Sequence, residues 1–135
     1  RRRFRFKELM PNPDLVPDDV EGINVRRLLQ TLNDRIEYLF DREHQIGHAY
    51  FLGCATKDGI DEIMRAKVVP LLAEYFYENW ERVRQALGEI EDEGGFIVRR
   101  KLAPLAAGEV DYVNERWRYT VRDTFSHEAY RQLTG

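Results

Sequence analysis

A chain of 135 residues with 43% apolar and 33% charged side chains is long enough for one domain with a core of its own, and too apolar to be disordered. Its net charge of −3 carries no global bias toward nucleic acid or a membrane surface, and no apolar run is long enough to span a bilayer. The lone cysteine, Cys54, excludes an internal disulfide framework and predicts a reducing, cytoplasmic setting.

The first residues, Arg1-Arg2-Arg3-Phe4-Arg5-Phe6, include no initiator methionine and read as the interior of a longer protein. Phe4 and Phe6 alternate with Arg3, Arg5 and Lys7, which predicts a short half-buried strand over residues 3–9. Pro11, Pro13 and Pro17 then make a stiff connector, and Asp18 and Asp19 supply helix-start chemistry. Val25, Leu28, Leu29, Leu32, Ile36, Leu39 and Phe40 recur at helical offsets, so an amphipathic helix is expected from Asn24 to about Asp41, with Arg26, Asn33, Asp34 and Glu37 on its polar side.

Next comes Asp41-Arg42-Glu43-His44-Gln45-Ile46-Gly47-His48-Ala49-Tyr50-Phe51. A spacer between helices needs only a few polar residues and a glycine, so this turn is the first place to look for function. His44 and His48 are four apart, but Gly47 argues against one helix carrying both as a metal pair. A short helix with Ile60, Ile63 and Met64 follows, capped by Thr56 or Asp58. A longer one is expected from Val69, with Pro70 in its first turn, Leu72, Phe76, Trp80, Val83 and Leu87 as its stripe and Gly88 as its stop. The acidic segment from Glu89 to Gly95 reads as a solvated turn. Phe96-Ile97-Val98 and Trp117-Arg118-Tyr119-Thr120-Val121 read as strands able to pair antiparallel, and Ser126 as the cap of a last helix, His127 to Leu133.

No phosphate-binding glycine loop, nucleophile elbow or CxxC motif is present, so residue patterns alone end at a mainly helical domain with a decorated turn and a basic first strand.

The order of these segments nevertheless resembles a known family. Arg2-Arg3-Phe4-Arg5-Phe6 with Glu8-Leu9 and Pro11 is similar to the "RRFxFxEL-P" end of an AAA+ core. The turn Asp41 to Phe51 resembles the "RDHxIGHSYF" turn of the McrB family, with Ala49 where serine is more usual. Lys67 to Trp80 is similar to that family's "KIIPLLxEYFYxDW" helix. The resemblance implies a mainly α fold: an AAA+ C-terminal helical lid with a short N-terminal core strand and a small C-terminal β-hairpin. The implied divisions are 1–20 for the end of the core, 21–93 for the lid and 94–135 for the C-terminal strands and helix.

It further implies a motor that hydrolyses GTP, or ATP, with Mg²⁺ and powers DNA translocation and cleavage in a restriction system. Its expected partners are the AAA+ core of the same chain, neighbouring subunits of a homo-hexamer, a McrC-type nuclease and, through the complete complex, DNA. The phosphate loop and Mg²⁺ motif would lie upstream, leaving this portion inactive alone and without tightly bound nucleotide. Arg2 and Arg3 would act on phosphate as arginine-finger or sensor residues, and Ile46, Gly47 and His48 would lie against the nucleotide. The alternative is a non-catalytic helical module docking a protein or DNA through the basic start and the terminal hairpin.

Overall fold

The computed structural model describes residues 16–103 and 116–135. The expected strand at 3–9, together with Arg2 and Arg3, lies outside the described residues. The five α-helices described are α1 (Val25–Leu39), α2 (Lys57–Ile63), α3 (Val69–Tyr75), α4 (Trp80–Ala86) and α5 (His127–Thr134), with strands β1 (Ile97–Lys101) and β2 (Trp117–Val121) between α4 and α5.

The first helix starts later than Asp18 and Asp19 suggest. Val20 and Ile23 exchange backbone hydrogen bonds of 2.8 and 3.0 Å across a two-residue turn. Both central residues lie in the left-handed region, Glu21 at φ 49° and Gly22 at φ 90°. That turn reverses the chain, so the cap falls to Asn24, whose side chain accepts from the Arg27 N–H at 3.0 Å. Val25, Leu28, Leu29, Leu32 and Ile36 then line the core as their spacing requires.

Thr56 caps α2, accepting from Gly59 N–H at 3.1 Å, which decides between it and Asp58. No break separates α2 from α3, contrary to expectation: a π turn over Met64–Val68 joins them. Pro70 explains it. Proline has no N–H to donate, and its ring crowds the carbonyl four residues back in an α-helix. A widened π turn just before it relaxes that register while Met64, Val68 and Val69 all stay in the core.

The long helix expected from Val69 to Gly88 is instead two. Phe76 ends α3, Tyr77 and Glu78 take positive φ of 54° and 60°, and Glu78 N–H closes on the Ala73 carbonyl at 2.7 Å. Asn79 then caps α4, accepting from Arg82 N–H at 3.3 Å. The apolar stripe survives the break because Phe76 and Val83 are both buried on either side of it. Tyr77, at the break itself, is 88% exposed. Gly88, at φ 77°, stops α4 as its sequence position indicates.

The two strands pair antiparallel, Ile97 opposite Val121 through Lys101 opposite Trp117. One face of the hairpin rests on α4. Tyr119 stacks on Trp80 with 6.2 Å between ring centroids and donates to Glu81 at 2.5 Å. Arg99 pairs with Glu81 at 2.8 Å and Asp92 at 2.7 Å, and lies 4.0 Å over the Trp117 ring. Burial works to raise the Glu81 pKa, but hydrogen bonds from Tyr119 and Arg99 and the charge of Arg84 outweigh it and hold this carboxylate below its ordinary range.

The segment from Glu89 to Gly95 is a turn exposed from Ile90 to Glu93, as its composition suggests, but its first residue is not solvated. Glu89 is 5% exposed, and its carboxylate accepts from Phe96 N–H at 2.5 Å and Ile97 N–H at 3.2 Å. Burial pushes its pKa up, against the pull of those N–H groups and of Arg84 and Arg122. The two glycines are a packing requirement. A Cβ on Gly94 would sit 2.2 Å from the Glu89 carboxylate oxygen, and one on Gly95 would sit 2.4 Å from Ala129 Cβ. Past this point Phe96 meets Phe125 and Tyr130 at centroid distances of 4.7 and 5.3 Å, closing the core over α5.

Two side chains tie the ends of the fold together. Arg35 on α1 donates to the Ala86 carbonyl at 3.1 Å and the Leu133 carbonyl at 2.9 Å, joining three helices. Asp61 on α2 is buried and meets Lys57 at 2.8 Å and the Tyr130 hydroxyl at 2.5 Å. Among the described residues no helix is long and apolar enough to cross a membrane.

Candidate functional site

The decorated turn folds as two short 3₁₀ turns, Arg42–His44 and His48–Phe51, with Gln45 to Gly47 extended between them. His44 and His48 therefore sit on separate elements. Asp41 caps the first turn: its carboxylate accepts from His44 N–H at 2.9 Å and takes the His44 ring at 2.7 and 2.8 Å. A carboxylate only accepts, so Nδ1 of His44 carries the proton. The same ring packs 4.5 Å from Phe40 and 5.0 Å from Tyr75. His44 is thus consumed by structure. Burial, with the charges of Tyr50 and Asp41, pushes the Tyr75 hydroxyl up to about 12, so it stays protonated at neutral pH.

The centre of the turn is held by a residue that its helical position disguises. Asn33 belongs to the polar side of α1 by type, yet it is 4% exposed. Its amide pairs with the backbone of Ile46 in both directions: Ile46 N–H donates to Oδ1 at 2.5 Å, and Nδ2 donates to the Ile46 carbonyl at 2.9 Å. The side chain therefore acts as a one-residue strand partner. The clue was geometric, since Asn33 lies four after Leu29 and three before Ile36, inside the apolar stripe.

Replacing it by alanine removes two buried hydrogen bonds and leaves both Ile46 backbone groups without partners. Asn33→Ala is expected to cost about 2–3 kcal/mol, read as a lower urea midpoint at unchanged slope. A stability within experimental error of the parent would show that the turn closes without this clamp.

The two ends of the turn are anchored differently. Ile46 is 1% exposed and Phe51 is fully buried. The Ile46 side chain thus faces the core, and its backbone is taken by Asn33, which leaves Gly47, His48 and Ala49 as the presented edge. Gly47 sits at φ −75° and ψ 154°, a conformation open to any residue, so its backbone gives no reason for glycine. His48 is partly buried, and among the described residues its Nδ1 has no hydrogen-bond partner although that atom is shielded from solvent. Buried polar atoms are nearly always paired. The Nδ1 of His48 thus keeps a hydrogen-bonding capacity that the described residues do not use.

The arrangement suits hydrogen bonding to an uncharged polar ligand. It holds no nucleophile–base pair, and the described residues contain no group of three or more His, Cys, Asp or Glu placed to hold a metal ion. Cys54 is a partly buried thiol whose pKa burial raises, which suppresses its reactivity.

The described residues thus form a helical domain whose first helix clamps a histidine-bearing turn and whose C-terminal hairpin packs on α4. The sequence places it further: residues 24–84 match the family described as McrB, alpha-helical lid domain. This segment runs from the cap of α1 into α4, and over it the chain is similar to the helical lid of the McrB family. No curated protein matches the chain.

Proposed function

We propose that this lid belongs to an AAA+ motor that hydrolyses GTP with Mg²⁺, and that its clamped turn closes over the nucleotide. The family match at residues 24–84 supports the reading most directly. The unpartnered Nδ1 of His48 adds to it, because a base or ribose group would supply the missing hydrogen bond. In this reading Gly47 and His48 touch the nucleotide and Ile46 anchors them. Arg2 and Arg3 stabilise charge on the transferred phosphoryl group of the nucleotide at a subunit boundary, as guanidinium groups do in ring NTPases. Bound Mg²⁺ supplies neutralisation of phosphate charge, from ligands outside the described residues. The motor works in the cytoplasm as a homo-hexamer that drives a McrC-type nuclease on DNA.

Calorimetry on the chain extended upstream through the core, with GTP and then ATP in the presence of Mg²⁺, tests the proposal. Tight GTP binding that the 135-residue chain lacks is the expected result. No binding of either nucleotide by the extended chain would sink the motor reading and favour a non-catalytic interaction module.

A further inference from the structure

The hairpin has a second face that the lid does not use. Strand alternation puts Ile97, Arg99, Trp117, Tyr119 and Val121 toward α4, and turns Val98, Arg100, Arg118 and Thr120 outward. Pairing continues one step beyond the strands at each end, through Leu102 N–H to the Arg116 carbonyl at 2.8 Å and Arg122 N–H to the Phe96 carbonyl at 2.9 Å. The outward row on β2 therefore reads Arg116, Arg118, Thr120, Arg122, with Arg100 directly across from Arg118. Arg100, Arg116, Arg118 and Thr120 are exposed, and the Arg122 side chain is 39% exposed.

Among the described residues Glu93 and Asp123 border this row. Glu93 bridges two of the arginines, one oxygen 2.9 Å from Arg100 and the other 3.1 Å from Arg122. Arg116 and Arg118 form no ion pair among the described residues. A cleft of 420 Å³ lies alongside, lined by Arg100, Thr120, Arg122, Asp123 and Thr124. Among the described residues, four guanidinium groups against these two carboxylates give this face a positive balance on a chain that is negative overall.

We infer that this face docks the phosphate backbone of duplex DNA, with Arg116, Arg118 and Arg122 along one strand and Glu93 as an internal anion that phosphate displaces from Arg100 and Arg122. Residues two apart on a strand are about 7 Å apart, a regular spacing suited to a repeating anion rather than to one acidic side chain. Arginine and threonine are phosphate donors, and contacts to phosphate carry no sequence information, so docking on the backbone is independent of sequence. The aromatic rings of the hairpin lie on the opposite face, against the lid. The outward face therefore lacks the stacking platform that single strands use, which favours a duplex. This contact needs neither nucleotide nor the upstream core and stands apart from the proposed GTP chemistry.

Fluorescence anisotropy of a labelled duplex against the 135-residue chain, over a series of salt concentrations, is the test. Binding at low salt is expected, with log affinity falling linearly in log salt at a slope of about −3 for three to four phosphate contacts. The double variant Arg116→Glu with Arg118→Glu is expected to lose at least about tenfold in affinity and to flatten the slope by roughly two, while the paired lysine variant retains both. Glu93→Gln is expected to bind more tightly than the parent. Arg65→Glu, an equal charge change on the π turn, is the control and leaves affinity nearly unchanged. Thermal melts confirm that each variant is folded. The inference is overturned if the parent chain ignores duplex at low salt, if the double glutamate variant binds as well as the parent, if Glu93→Gln has no effect, or if a single strand of equal length binds more tightly than the duplex.

Discussion

Asp61→Ala is expected to destabilise the lid by about 3–5 kcal/mol, the range for removing one partner of a buried ion pair, and to be the most damaging single change to the described fold. Its carboxylate is 4% exposed and holds three groups: Lys57 at 2.8 Å, the Tyr130 hydroxyl at 2.5 Å and Phe125 N–H at 3.5 Å. Lys57 can return to water, because its side chain is already 19% exposed. Tyr130 cannot, since it is 2% exposed and enclosed by Phe96 and Phe125. Burial, together with Asp61, raises the Tyr130 pKa far above its usual value, so the hydroxyl keeps its proton and needs an acceptor.

The penalty therefore resides in the orphaned hydroxyl, and a double-mutant cycle in urea exposes it. Tyr130→Phe should cost about 1.5–3 kcal/mol beside Asp61, as a hydrogen bond to a charged group does, and should recover stability in the Asp61→Ala background, where it removes the orphaned hydroxyl. Additive effects would show that Asp61 acts through Lys57 or Phe125 instead. The contact joins α2 to α5 across 69 positions of sequence, so its loss is expected to free the C-terminal segment from the lid as well.

Asp61, Asn33 and Glu89 also mark the limit of what the residue pattern reveals. The apolar stripe of α1, the caps at Thr56 and Ser126 and the antiparallel pairing of β1 with β2 were all legible, because each follows from local periodicity or capping chemistry. The partners of buried polar side chains were not. Asn33 bonds the backbone 13 positions later, Glu89 bonds backbone across the Gly94-Gly95 step, and a pattern read by residue type assigns both to the surface. The break at Tyr77 was hidden for a related reason: two helices joined by a left-handed pair of residues can present one continuous stripe. Asn79, one residue before Trp80, was the readable sign, since asparagine favours caps over helix interiors. At the turn, the sequence pointed to the right segment. The presence of two histidines there did not reveal that Asp41 holds one while the other keeps a nitrogen without a partner.

The proposed division of labour predicts opposite kinetic signatures for the first arginines and for the clamped turn. In the complete protein Arg3→Ala is expected to lower GTP turnover by about a thousandfold, the lower end of what an arginine finger contributes, with little change in GTP affinity. A guanidinium that meets phosphate charge as it develops adds little to the ground state, so its loss falls on kcat. Arg2→Ala is the companion measurement, and whichever arginine faces phosphate carries the larger loss. His48→Ala is expected to do the reverse. A hydrogen bond from its free Nδ1 to base or ribose is present in ground and transition states alike, so removing it weakens GTP binding by about tenfold, equivalent to about 1.4 kcal/mol, and leaves kcat nearly intact. Asn33→Ala, by loosening the turn without touching His48, should follow the His48 pattern at smaller amplitude. Single-turnover and equilibrium-binding measurements on these four variants separate the effects. Equal losses of affinity and turnover at Arg3 would assign it a structural role, and unchanged GTP affinity in His48→Ala would mean that its imidazole packs the lid without touching the nucleotide.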